Sequence, residues 1–266
     1  VGARPMAALI HPVALIGAGP GDPELLTVKA LNRLRAADVV VYDKLVAAEI
    51  LALIPPGAKR IFAGKMASRH YMPQAEINEL LVRLARSGRR VVRLKGGDPF
   101  LFGRGGEEAE HLAQHHIPFE IVPGITSASG CAAYAGIPLT HRGLSHGLRI
   151  VTGHTEGGQP LALNWSSLAD PATTLVVYMG RTNVRDLAAK LIAHGMPADL
   201  PAVAIVNGTR PDQEVWPATL ATLPEVVEAL PRPAPTLMII GRVVALAERL
   251  SGWLAPARPR EEAEGA

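Results

Sequence analysis

A chain of 266 residues with 48% hydrophobic and 19% charged residues has room for one large or two ordinary domains, and it is too apolar to be disordered. A formal net charge of +3 and an aromatic content of 4% argue against a nucleic-acid binder, which needs a strong basic excess and rings for base stacking. The single cysteine, Cys131, excludes an internal disulfide framework and a multi-cysteine zinc site, and its small neighbours Gly130, Ala132 and Ala133 suggest a buried structural thiol.

In chain order, residues 1–11 read as a disordered tail without the apolar core and cleavage site of a signal peptide. Short β-branched apolar runs then alternate with helical patterns. Val13–Gly17, Val39–Tyr42, Arg60–Ala63, Val91–Lys95 and Phe119–Val122 read as strands, and Leu25–Ala36, Gln74–Ser87 and Gly106–His115 as helices. Glu107, Glu108 and Glu110 fall in the first turn of the last of these, where they complement the helix dipole. The alternation predicts an α/β unit with a largely parallel sheet. The most apolar stretch, Val39 to Ile54, is interrupted by Asp43, Lys44 and Glu49, so no membrane span is expected and the cytoplasm is the default location.

After Pro123-Gly124 the pattern changes. A small-residue helix, Thr126–Ala135, precedes strands Leu148–Gly153, Thr174–Met179, Ala202–Asn207 and Thr236–Gly241, with helices Val184–His194 and Val243–Trp253. The expectation is two α/β domains, 12–122 and 123–254, with a ligand cleft between them and a disordered tail over 255–266.

Three segments carry chemistry. The turn Gly17-Ala-Gly19-Pro20-Gly21-Asp22-Pro23 follows a strand but departs from a dinucleotide fingerprint: its third glycine is misplaced, and Pro20 and Pro23 remove N–H donors. It reads as a tight turn whose backbone lets a ligand approach. Lys95 to Glu108 holds five glycines within the eleven residues 96–106, lacks the Gly-Lys-Ser/Thr of a P-loop, and lies past a strand's carboxyl end, where open α/β sheets bind ligands. Asp98 there can accept hydrogen bonds from a cofactor's amine or hydroxyl groups, and Arg104 can hold an anionic substrate. In Val122-Pro-Gly-Ile-Thr126-Ser127 one hydroxyl suffices to cap the following helix, which leaves the other for a ligand. No histidine spacing supports a metal site; His111 and His115 fall with His116 on a polar face and read as solvated surface.

Together with Val41-Tyr42-Asp43-Lys44-Leu45-Val46, Gly64-Lys65, His70, Ala135-Gly136-Ile137-Pro138-Leu139-Thr140-His141-Arg142 and Tyr178-Met179, these segments resemble the tetrapyrrole methylase family over residues 12–250. The resemblance implies two methyl transfers from S-adenosylmethionine to ring carbons of uroporphyrinogen III, with S-adenosylhomocysteine as co-product. The tetrapyrrole products would be precorrin-1 and precorrin-2, leading to siroheme, cobalamin or haem d1. It also implies a homodimer. By the same resemblance Pro20, Gly96, Gly97, Asp98, Leu101, Thr126, Ser127, Met179 and Gly208 match cofactor contacts. Asp43 matches a proton acceptor and Lys65 a proton donor, while Arg104 and Glu107 sit at the catalytic loop. Lys44, Arg104, Arg142 and Met179 fall on the substrate side. Asp43 has a second reading as a residue capping a strand-end turn, and Lys65 reads equally as a carboxylate partner. Where relatives have Gly-Lys-Arg-x-Gly-x-His, this chain has Gly64-Lys65-Met66-Ala67-Ser68-Arg69-His70, which alters local substrate contacts. No segment resembles a dehydrogenase–chelatase module, so those steps are expected of another protein. Other readings of the same residues are a later precorrin methyltransferase, a diphthine synthase, or a cofactor-binding module without turnover.

Overall fold

The computed structural model describes residues 10–64, 72–154, 161–230 and 234–254. They form two compact units that divide between Thr126 and Ser127.

Unit 1 is an open sheet of five parallel strands, β1 (Val13–Gly17), β2 (Val39–Tyr42), β3 (Lys59–Phe62), β4 (Val91–Lys95) and β5 (Phe119–Val122), in the order β3-β2-β4-β1-β5. The connecting helices are α1 (Val28–Arg35), α2 (Ala48–Leu51), α3 (Gln74–Arg86) and α4 (Gly105–Gln114). Alternation along the strands sorts the core into two layers. Ala14, Ile16, Val40, Val92 and Leu94 pack with Leu34 of α1 and Ile50 of α2. Val13, Leu15, Val39, Val41 and Val91 pack with Leu81 of α3 and Leu112 of α4. Both faces are covered, so the strands read as continuous apolar runs.

Unit 2 holds β6 (Gly147–Thr152), β7 (Thr173–Tyr178), β8 (Pro201–Val206), β9 (Glu214–Thr219) and β10 (Thr236–Ile240) in the order β6-β7-β10-β8-β9. Only β6 and β7 run parallel; the other pairs are antiparallel. Helices α5 (Ser127–Tyr134), α6 (Trp165–Leu168), α7 (Val184–Ala193), α8 (Leu223–Ala229) and α9 (Ala247–Leu250) complete it. No helix among the described residues is long and apolar enough to cross a membrane.

Two expected helices are broken. Leu25–Ala36 is a 3-10 turn, Pro23–Leu25, followed by α1, because Asp22 caps the first and Thr27 accepts from the Ala30 N–H to start the second. Val243–Trp253 is α9 flanked by 3-10 turns, Arg242–Leu246 and Ser251–Trp253. Adjacent β-branched Val243 and Val244 both bury at its start, and Ser251-Gly252 weakens α-helix at its end. Strand β9 was not expected from sequence: Pro217 interrupts it and its residues are mostly exposed, which an edge strand tolerates.

Candidate functional site

Strand alternation aims the charges of unit 1. Arg93 and Lys95 share the parity of Val91, so their side chains turn to the layer carrying α3 and α4. There Glu108 of α4, fully buried, accepts from Arg93 Nε at 3.0 Å and Lys95 Nζ at 2.8 Å, and Gln74 Nε2 of α3 donates to the same oxygen at 3.2 Å. Burial first, then the Arg93 charge, push the Lys95 ammonium below its ordinary value, and Glu108 pulls it back. The other Glu108 oxygen, Oε2, is buried without a hydrogen-bond partner among the described residues. Asp43, two residues beyond Val41 on the same parity, lies 3.7 Å from Arg93 Nη2 and is about one-quarter exposed. A cavity of about 240 Å³ opens here, lined by Asp43, Gln74, Arg93, Lys95, Gly96 and Arg104 among others.

Backbone packs on backbone at the neighbouring strand ends. A Cβ on Gly17 would meet Gly124 N at 2.5 Å and Gly97 O at 2.6 Å, and one on Gly124 would meet Gly17 Cα at 2.7 Å. Gly97 and Gly19 exchange N–H···O bonds of 2.7 and 3.1 Å, a bridge that ties the turn before Pro20 to the glycine-rich loop. Asp98 holds that loop: Oδ1 accepts from the Phe100 N–H at 2.8 Å and Oδ2 from the Gly124 N–H at 3.0 Å. Gly96, Gly97, Asp98, Leu101 and Thr126 are all half-buried in this region.

The loop continues through Phe102 and Arg104, at φ 51° and 59°, a left-handed backbone costing about 1–3 kcal/mol in a non-glycine residue and concentrated at ligand sites. Arg104 donates to both Glu107 oxygens at 2.9 and 2.7 Å. That pairing holds the Glu107 carboxyl below the usual carboxylate range, so Glu107 serves better as a clamp on Arg104 than as a proton acceptor. Asp43 Oδ1 accepts from the Leu45 N–H at 3.0 Å, the turn-capping role its position suggested, while Oδ2 is the oxygen nearer Arg93.

In unit 2, α5, which begins at Ser127, touches the segments that carry Met179 and Gly208. The Ala128 N–H donates to Tyr178 Oη at 2.7 Å, which ties the start of α5 to the end of β7 beside Met179. A Cβ on Gly208, just past β8, would approach Cys131 Cβ to 2.9 Å. Met179, Asn207 and Thr209 take φ of 53°, 49° and 66°. Arg142 is exposed in a turn closed by a bridge between His141 and Ser145. A larger cavity of about 520 Å³ in this unit is lined by Ala132, Ile137, Leu139, Leu250 and Trp253 among others, and no charged residue lines it.

The residues brought together in unit 1 are Asp43, Gly96 and Arg104; Lys44 is exposed beside them in sequence, and Lys65 lies outside the described residues, as do Met66, Ser68 and His70. Sequence reasoning missed Gln74, Arg93 and Lys95 as cavity residues; Glu108 does lie in the first turn of α4, but its burial and its pairing with Arg93 and Lys95 were not foreseen. The available signal was two cations inside the otherwise apolar strand Val-Val-Arg-Leu-Lys. His111 and His115 also need correction. They are half-buried against Glu79 of α3, not solvated, because α3 packs along the face they occupy.

A parallel sheet with glycine-packed loops and a polar cavity at its strand carboxyl ends is the arrangement in which open α/β proteins bind small molecules. Residues 12–224 match the family Tetrapyrrole (Corrin/Porphyrin) Methylases, and the chain belongs to that family. It is 56% identical over 95% of its length to a siroheme synthase of Methylococcus capsulatus and 55% identical over 91% to one of Nitrosomonas eutropha. The chain covers 52% and 51% of those two proteins, so it spans about half the length of the curated relatives it matches. Among solved structures, uroporphyrin-III C-methyl transferase of Thermus thermophilus complexed with S-adenyl homocysteine superposes with a TM-score of 0.76 at 43% identity, over 89% of this chain and 100% of that one. A cobalt precorrin-4 methyltransferase superposes with a TM-score of 0.78 at 29% identity, over 91% of this chain and 99% of that one.

Proposed function

We propose that the chain is a uroporphyrinogen-III C-methyltransferase, placing two methyl groups on ring carbons to give precorrin-1 and then precorrin-2 for siroheme, cobalamin or haem d1. The observation that carries this reading is the cavity with Asp43 and Arg104 in its lining and the buried Arg93–Lys95–Glu108 cluster beneath. The Thermus enzyme, matched over its whole length and complexed with S-adenyl homocysteine, supports both the reaction and its methyl donor.

The residues fit that donor. Gly17, Gly97 and Gly124 pack so closely that no side chain can intrude, which leaves backbone groups to face a ligand. Pro20, Gly96, Gly97, Asp98, Leu101 and Thr126 of unit 1, with Ser127, Met179 and Gly208 of unit 2, are assigned to it. Bound S-adenosylmethionine supplies an electrophilic sulfonium methyl and leaves as the neutral thioether. An electron-rich pyrrole carbon is the nucleophile: its new C–C bond forms as the S–C bond breaks, and the methylated ring then sheds a proton.

The protein's largest contribution is alignment, worth up to about 7–11 kcal/mol in well-oriented reactions. Arg104, Arg142 and Lys44 are assigned to the substrate's carboxylates, with Glu107 fixing the Arg104 fork. Asp43 is the proton acceptor, an effect of about 10²–10⁴-fold. Arg104 cannot serve, because a guanidinium with pKa above about 12 does not release its proton. Lys65 is assigned as proton donor. The family resemblance supports a homodimer, and the cytoplasm is the default location.

The test is anaerobic incubation of methyl-labelled S-adenosylmethionine with uroporphyrinogen III and, separately, with later precorrins. Two labels per macrocycle are expected. Adenosylmethionine binding without label transfer would identify a binding module, and labelling only of later precorrins would move the chain to another branch of the family.

A further inference from the structure

The seam between α3 and α4 that carries Gln74 and Glu108 at the cavity gathers a second cluster further along. His111 of α4 and His115, four residues on at the helix's C-cap, lie on one face, and Glu79 of α3 reaches between them. Glu79 Oε1 lies 3.0 Å from His111 Nε2 and 4.0 Å from His115 Nε2, and the ligand-type atoms of all three residues lie within 4.8 Å of one another. The two imidazoles face each other with centroids 4.3 Å apart. We propose that Glu79, His111 and His115 form a binding site for a divalent transition cation of the zinc class.

Four features support a cation over a plain ion pair. His115 Nδ1 is 2.9 Å from the His111 carbonyl oxygen, so Nδ1 carries the proton and Nε2 presents its lone pair; a ligating histidine is oriented in this way. His111 Nε2 is shielded from solvent and makes no hydrogen bond, since Glu79 Oε1 is near it but out of line. Among the described residues Glu79 pairs with no lysine or arginine, so its carboxylate charge is left for a cation. The spacing suits one: ligands at about 2.0–2.2 Å from a tetrahedral zinc stand roughly 3.3 Å apart.

Two imidazoles and one carboxylate suit zinc, and by ligand softness also nickel, cobalt or copper, over magnesium or calcium. The fourth position is left to water. Because the ligands come from two helices, the bound ion staples α3 to α4. It stabilises unit 1 in proportion to its occupancy, since the unfolded chain offers no such arrangement. This site does not depend on the proposed methyl transfer.

The experiment titrates Zn²⁺ into the untagged, chelator-stripped full chain by calorimetry and follows the melting temperature in parallel. One equivalent should bind and raise the melting temperature, and Co²⁺ should give the intense visible bands of a four-coordinate site. His111→Gln and His115→Gln should each weaken binding at least about tenfold, while His194→Gln, at the C-cap of α7 in unit 2, should not change it. The melting temperature without metal reports whether each variant is folded. Absence of a one-equivalent site, or equal affinity in the wild type and both seam variants, overturns the proposal.

Discussion

The two units bury different kinds of polar group. Among the described residues of unit 1 the buried polar ones are ionisable: Asp22, Arg93, Lys95 and Glu108. In unit 2 they are hydroxyls: Ser145, Thr173, Thr174 and Thr209. Charge inside a protein is expensive, and replacing it with apolar side chains is often neutral or better for stability. A cluster of three charges kept beneath one cavity therefore points to chemistry there, and the Arg93–Lys95–Glu108 set also braces Asp43 through Arg93. The hydroxyls of unit 2 satisfy one another and the backbone, as in the Thr174–Ser145 bond of 2.9 Å, and need no further explanation. The first unit is built around ionic chemistry and the second around shape.

The largest test of that contrast is Glu108→Ala. It strands Arg93 and Lys95 without their shared partner, and breaking a buried pair from one side costs about 3–5 kcal/mol. Denaturant unfolding at neutral pH measures it; a loss below 1 kcal/mol would mean that water already solvates the cluster. Next comes Gly124→Ala, where the new methyl meets backbone that cannot rotate away. Overpacking of this kind costs about 1–3 kcal/mol, here toward the upper end, and adenosylhomocysteine affinity should fall with it. If stability falls and affinity does not, the glycine packing serves the fold alone. In unit 2 the counterpart is Ser145→Ala, which leaves Thr174 Oγ1 without its acceptor and the Gly147 carbonyl without its donor. The expected loss is about 1–2 kcal/mol, smaller because no charge is stranded. A loss equal to that of Glu108→Ala would erase the difference between the units.

Much of unit 1 was legible. Apolar runs four or five residues long, separated by helical periodicity, gave the strands almost residue for residue, and the glycines marked the closely packed loops because a missing Cβ is visible in a sequence. What stayed hidden was pairing across distance. Nothing adjacent to Glu108 in sequence says that α4 turns it inward toward Arg93 and Lys95, fifteen and thirteen positions away. The same holds for Glu79, which meets His111 only because α3 and α4 pack together. Left-handed backbone at Met179 and Thr209 was equally hidden, since it occurs in residues that do not prefer it. Strand β9 was lost for a further reason: its exposed edge carries Pro217 and no alternation.

Exposed ion pairs provide the control, because both units have them: Asp38–Arg90 in the first, Arg185 with Glu225 and Glu228 in the second. Hydrogen bonds from the Arg90 side chain, then its backbone N–H, hold the Asp38 carboxyl down at about 2. A depressed carboxyl adds stability above its unfolded pKa, about 3.9, and that contribution is lost as pH falls through about 2. Solvent screening keeps it under about 1 kcal/mol. Asp38→Asn should thus be slightly less stable than the wild type at pH 6, and the gap should close between about pH 4 and 2. A gap that persists at pH 2 would assign the effect to the Asn side chain and not to charge.

The smallest effect on stability is expected where the contrast between the units is most functional. Met179 is half exposed and left-handed at φ 53°, so Met179→Gly relieves a backbone strain of about 1–2 kcal/mol. Glycine also gives the unfolded chain more freedom, which returns about 0.5–1 kcal/mol, and the exposed side chain loses little packing. The melting temperature should change very little. If the strain exists to present Met179 to the methyl donor, adenosylhomocysteine affinity should nevertheless drop severalfold. A variant that gains stability and keeps its affinity would show that the strained turn follows from how β7 ends, and would remove Met179 from the proposed contacts of the methyl donor.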